Sequence, residues 1–241
     1  MSAIVGLPVS AVSYQNMAQH FAAPPGKAYL LYGEKPVFAL SLRMAAYGMV
    51  GGSSVAVVDG CNRFDVHFLS RFAREHQLNV DNFLHRIFIS RGFTCYQMEQ
   101  AIVNRLPSFL ARINSHTAMI FGLLDTFYDQ QAPLGEVRQI LHRVIAALQE
   151  MKVRGVSVLL VSRKLNVLPK ERNELFATLQ EGVDTIYRLQ VDKENIPKLF
   201  LEKGILNDGT NRANLHEHHR QRAGELVQVS TRAPQRGSGA F

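Results

Sequence analysis

Apolar residues fall along this chain in short runs separated by longer amphipathic stretches. Ala28–Tyr32 (AYLLY), Ser54–Asp59 (SVAVVD), Ala118–Asp125 (AMIFGLLD) and Val156–Ser162 (VSVLLVS) are nearly continuous apolar runs. They are too short for buried helices and read as strands covered on both faces. Arg86–Ser90 (RIFIS) predicts a shorter strand. Helical spacing fills the gaps. Val37–Tyr47 is amphipathic, and Asp65–His76 carries a stripe at Val66, Leu69, Phe72 and Ala73. Asn79–His85 predicts a short helix. Thr94–Ile113 repeats apolar residues at Met98, Ala101, Ile102, Leu106, Phe109 and Leu110, with Pro107 placed to kink or split it. Gly135–Lys152 is the most regular helix, and Glu171–Gln180 predicts another. Thr185–Val191 and Lys198–Lys203 predict a closing antiparallel pair joined by a turn over Asp192–Pro197.

Strands alternating with helices predict an α/β fold, a mostly parallel sheet flanked by helices on both faces with antiparallel strands closing its C-terminal side. No internal repeat or second core is visible. The expected organisation is a flexible leader over 1–27, one α/β domain over 28–204 and a polar, disordered tail over 205–241, with a short strand in it at Leu226–Val229.

Composition narrows the classes. The 241 residues are 46% hydrophobic and 20% charged, which suits a soluble protein with a sizeable core. No apolar run approaches the ~20 residues that span a bilayer, so no membrane partner is expected. The N-terminus lacks the basic segment of a signal peptide. Two cysteines, Cys61 and Cys95, are too few for a disulfide framework or a structural zinc site. A reducing compartment follows, cytoplasmic, or nuclear in a eukaryote. His216, His218 and His219 with Glu217 sit in the polar tail without the fixed geometry a metal needs. The net charge of +7 admits an anionic partner such as DNA.

Ligands of open α/β sheets bind beyond the carboxyl ends of the strands. Gly33–Pro36, Asp59-Gly60-Cys61 and Asp125 gather there. A strand-end Asp can hold magnesium through water in phosphate-loop NTPases. The same residue can simply cap the next helix.

The order of these pieces resembles the core of RecA-type recombinases, especially the archaeal and eukaryotic RadA branch. Asp59–Phe64 is similar to that family's Asp-Thr-Glu-x-Thr-Phe strand end. Val80–His85 is similar to its Asp-x-x-x-Leu helix, Ile87–Phe93 to its strand leading into Ala-Arg-Ala-Phe, and Tyr96-Gln97 to its His-Gln pair. AMIFGLLDTFYD resembles the Walker B strand, with Asp125 at the metal position, and VLLVSRKL resembles the following strand. The resemblance covers about residues 28–204.

The departures are consistent with one another. No G-x-x-x-x-G-K-[ST] occurs in the chain. Gly33–Pro36 is about four residues too short to curl around phosphates, and Pro36 has no N–H. Lys35 stands near the family's lysine, and no Ser or Thr follows it. Cys61 stands where the family has its catalytic Glu. Arg163 and Lys164 replace the Asn-Gln sensor pair. The resemblance therefore implies a degenerate ATPase fold without hydrolysis, not an enzyme, and with no cofactor.

Arg163–Arg172 is a short basic segment in which Arg163, Lys164, Lys170 and Arg172 are candidates for contacting DNA phosphates. The family polymerises by inserting a Phe-x-x-Ala strand into a neighbour. His20-Phe21-Ala22-Ala23 lies in the matching region, but Pro24 stands where the motif needs Ala. The reading implied is a non-catalytic recombinase paralogue, an accessory or scaffold for recombination and repair that binds DNA, a recombinase or other repair protein, or copies of itself. Two alternatives stay open. One is a regulator of cell division or damage response on the same degenerate fold. The other is a residual nucleotide binder using Lys35 and Asp125.

Overall fold

In each central strand, alternate side chains enter two different cores. Leu30, Val58, Ile120 and Leu160 point to one face of the sheet, and Leu31, Val57, Met119 and Val161 to the other. That is the period-2 geometry of a pleated strand buried on both sides. The computed structural model describes residues 7–8, 21, 25–163, 167–193 and 197–204.

Among the described residues, eight strands form one sheet. They are β1 (Leu7–Pro8), β2 (Ala28–Gly33), β3 (Val55–Asp59), β4 (Ile87–Arg91), β5 (Thr117–Phe121), β6 (Ser157–Arg163), β7 (Thr185–Val191) and β8 (Pro197–Lys203). Their order is β1-β8-β7-β2-β6-β5-β3-β4. Every pairing from β7 through β4 is parallel. β8 runs antiparallel to β7, and β1 antiparallel to β8. The mostly parallel α/β fold expected from the hydrophobic pattern is the fold observed.

One face carries α1 (Pro36–Met49), α2 (Val66–Glu75) and α3 (Val80–Leu84). The other carries α4 (Cys95–Glu99), a π-helical turn at Gln100–Arg105, α5 (Leu106–Arg112), α6 (Leu123–Phe127), α7 (Leu134–Val153) and α8 (Glu174–Glu181). Local chemistry sets several starts. Asp65 accepts from the N–H groups of His67 and Phe68, Asn79 from that of Asn82, and Thr94 from that of Gln97. Such caps each contribute about 1 kcal/mol. Truncating a core residue such as Leu160 to Ala would cost about 2–5 kcal/mol.

One expectation changes here, and another gains a mechanism. The strand predicted over Ala118–Asp125 stops at Phe121. Gly122 takes a left-handed conformation (φ +59°), and α6 begins at Leu123. Apolar content alone could not reveal that switch, because both states bury the same residues. The Thr94–Ile113 helix is split, as Pro107 foretold, but a π turn absorbs the break. Leu106 N–H reaches back five residues to the carbonyl of Ala101. Proline cannot donate, and the wider turn re-registers the backbone before it.

The described parts of the expected leader join the domain. β1 pairs with β8, and Phe21 is buried edge-to-face on Tyr29, with ring centroids 5.5 Å apart. Residues 205–241, including the predicted strand at Leu226–Val229 and the His216–His219 group, lie outside the described residues. No helix among the described residues is long and apolar enough to cross a membrane.

Candidate functional site

The turn between β2 and α1 is tied into the sheet. Gly33 lies in register between Arg163 of β6 and Leu189 of β7, with φ +141°. A Cβ there would stand 2.0 Å from the carbonyl oxygen of Leu189, so only glycine fits. Glu34 N–H donates to that same oxygen at 3.2 Å, and Val37 N–H donates to Glu34 O at 2.9 Å. The Glu34 carboxylate accepts from Val191 N–H at 3.0 Å. Pro36 opens α1 and has no N–H. A phosphate cradle needs several free N–H groups facing one point. Here the N–H groups of Glu34 and Val37 are taken by the carbonyls of Leu189 and Glu34, and the Glu34 carboxylate folds back onto Val191. Lys35 is exposed at the start of α1.

The end of β3 is equally self-contained. Asp59 is buried, and its carboxylate accepts from the N–H groups of Cys61 (3.1 Å), Arg63 (3.3 Å) and Phe64 (3.1 Å). The Cys61 thiol donates to the same carboxylate at 3.6 Å. Asp59 therefore braces its own loop. Burial pushes the Cys61 thiol well up from its ordinary value, and the charges of Asp125 and Asp59 push it further. A thiol kept protonated is a poor nucleophile and a poor base.

Asp125, expected at a strand end, instead lies in the first turn of α6. Its Oδ2 is buried and has no hydrogen-bond partner among the described residues, and the same holds for the hydroxyl of the neighbouring Tyr128. Burial raises the Asp125 pKa, opposed by the charges of Arg163 and Arg63. Burial, helped by Asp125, pushes Tyr128 up to about 12. The Asp59 charge pushes the Asp125 pKa further up, against the two arginines. No cluster of three or more His, Cys, Asp or Glu able to hold a metal occurs among the described residues.

The basic segment divides. Arg163 is the half-buried last residue of β6, and Lys170 is exposed at the start of a 3-10 turn, Lys170–Asn173. Lys164 lies outside the described residues. Arg172 corrects the expectation of a phosphate contact. It is 3% exposed, and its guanidinium donates to the carbonyl oxygens of Phe127 (2.7 Å) and Ala132 (2.5 Å). It clamps the 3-10 turn to the loop between α6 and α7, and it faces no solvent where DNA could lie.

The hydrophobic pattern did not single out a second place. Among the described residues β4 ends the sheet and pairs only with β3, which leaves its outer N–H and C=O groups without a strand partner there. Beside it a cavity of about 170 Å³ lies between Val58, Phe88 and Ser90 of the sheet and Ala101, Arg105 and Phe109 of the helix packed over it. Phe88 and Phe109 meet edge-to-face at 5.2 Å. Ala101 and Arg105 belong to the π turn, so the re-registered backbone forms part of the cavity wall. Ile89, which also lines the cavity, is 43% exposed, and Phe93, two residues beyond the end of β4, is 71% exposed. The available signal was Pro107. It announced an irregular helix, though not that a cavity would lie beneath it.

Fold and sites together define an α/β domain whose turns after β2 and β3 are closed on themselves and whose β4 edge has no further strand among the described residues. No protein-family model matches the chain, and no curated protein matches it.

Proposed function

We propose that this chain is a non-hydrolysing relative of the recombinases that serves recombination or repair as a scaffold, by holding an extended segment of a recombinase partner against β4. The observation that carries this reading is the cavity under the open β4 edge. Strand addition uses main-chain hydrogen bonds for affinity and pockets for side-chain selectivity. A dry cavity of about 150 Å³ accommodates benzene, so about 170 Å³ suits one phenyl anchor. A Phe-x-x-Ala strand, by which the resembled family joins its subunits, has that shape.

The closed turn at Gly33–Pro36 supports the non-hydrolysing part of the reading. The occupant is a different protein rather than this chain's own Phe21, which already packs on Tyr29. With Arg172 internal, a direct DNA contact by the basic segment loses one of its four cations, so the reading centres on a protein partner.

The test is a binding titration of the full chain with a RadA-type recombinase and with a peptide of its Phe-x-x-Ala segment. Saturable binding without nucleotide is expected, abolished by Ala101→Phe, which fills the cavity. A parallel melting series with ATP and magnesium is expected to show no shift. Failure to bind both the recombinase and the peptide would overturn the scaffold reading. A nucleotide-dependent rise in Tm would favour the residual nucleotide binder instead, and release of phosphate from ATP by the pure chain would overturn the non-hydrolysing reading.

A further inference from the structure

The cavity has an apolar floor and a cationic rim. Arg105 lines it, and its side chain is exposed. The Arg112 guanidinium lies 4.8 Å from the centroid of Phe109, itself a wall of the cavity, and Arg112 is exposed. On the opposite face of the edge strand, Arg91 ends β4 and is also exposed. No carboxylate lines the cavity. The ion pairs among the described residues join other groups: Arg138–Glu174, Arg143–Glu99, Lys152–Asp184, Arg188–Glu202 and Lys198–Asp192. The acid nearest in sequence to the π turn, Glu99, is thus engaged by Arg143.

Edge strands commonly carry charge to discourage indiscriminate pairing. Single-sign charge goes further, because it repels cationic strands and attracts acidic ones. Arginine suits the role. Its planar fork can take a carboxylate in two parallel hydrogen bonds while its stem lies on an aromatic ring. In an added strand, residues beside the anchor point alternately to the two faces. Neighbours on the cavity face would meet Arg105 and Arg112, and those on the other face would meet Arg91.

We propose that the segment received at β4 carries carboxylates two residues from its aromatic anchor, on the same face, and that Arg105 and Arg112 select for them. This rests on the scaffold reading above and specifies the chemistry of its partner. Affinity comes from the anchor and the strand pairing. Selectivity comes from the rim.

The experiment compares three short synthetic peptides on the full chain by fluorescence anisotropy. All share one Phe and an Ala three residues later, and they differ in having Asp, Ser or Lys two residues before the Phe, on the anchor's own face. The order expected is Asp tighter than Ser, and Ser tighter than Lys. The Asp peptide should gain about fivefold over Ser at low salt, the scale of two partly exposed ion pairs, and the gain should shrink as salt rises. The double substitution Arg105→Glu, Arg112→Glu should reverse the order. It changes exposed residues, and circular dichroism with an unchanged melting curve verifies the fold. Equal affinity for all three peptides would overturn this proposal while leaving the docking edge intact. Absence of binding by any of the three would overturn the docking edge itself.

Discussion

The Nη1 of Arg172 donates to the carbonyl oxygen of Phe127 across 2.7 Å, joining the segment after β6 to the end of α6 inside the protein. This buried guanidinium enters no ion pair among the described residues and is held by charge-assisted hydrogen bonds to carbonyls. Arg172→Ala would strand two carbonyl oxygens and open a void. The expected loss is about 3 kcal/mol, read as a lower urea midpoint. DNA retention by the fraction that remains folded should not change, which separates a structural clamp from a phosphate contact.

Gly122 and Cys61 are mutually constrained. A Cβ on Gly122 would lie 2.3 Å from Cys61 Cβ, and the backbone there is left-handed. Gly122→Ala should cost about 2–3 kcal/mol. Adding Cys61→Gly removes the clash but not the backbone strain, so part of the loss should return. Denaturation of the four proteins in the cycle measures the coupling, and strict additivity would show that the two positions do not collide.

Asp125 predicts a stability gain on losing its charge. Burial raises its pKa, although Arg163 opposes the shift, so the folded chain holds the proton more firmly than the unfolded one. The stability it contributes is full below the ordinary value of 3.8 and is lost as pH rises through the raised value. Asp125→Asn should therefore melt higher than the wild type at pH 7, and the difference should close as the pH falls towards 3.8. Melting curves across that range decide it. A magnesium-dependent rise in wild-type Tm that the substitution abolishes would mark Asp125 as a metal ligand instead.

Asp184 behaves in the opposite sense. Burial works to raise its pKa, but Ala28 N–H and the Lys152 ammonium, each 2.9 Å away, outweigh it and hold the value low. Its contribution is present above the ordinary carboxylate value and is lost as pH falls through the lowered one. Both side chains are partly exposed, so screening limits the effect. Asp184→Asn should cost about 1 kcal/mol at neutral pH and almost nothing in strong acid, as read from paired urea titrations.

The sheet was legible in the sequence because its strands bury both faces. Thr185–Val191 was bounded correctly at both ends, and the faces follow from alternation. What depended on distant backbone was not legible. Arg172 sits in a basic run and reads as solvated; its acceptors lie 45 and 40 residues away. Asp125 reads as the end of a strand because the helical turn around it is as apolar as the strand before it. The position of RIFIS at the sheet margin follows from the crossover order, which leaves no trace within those five residues. At Gly33, by contrast, the short turn declared its closure in advance, since four residues cannot both reverse direction and encircle a ligand.

The two margins of the sheet are unequal. At one, β1 pairs antiparallel with Leu201 and Phe200 of β8; at the other, the five-residue β4 pairs with β3 and has no strand beyond it among the described residues. In the language of polymer chemistry, the β4 margin is one free valence. A single extended segment satisfies it. By strand addition at β4, then, each molecule takes one guest, and a titration of that edge should saturate at equal numbers of the two.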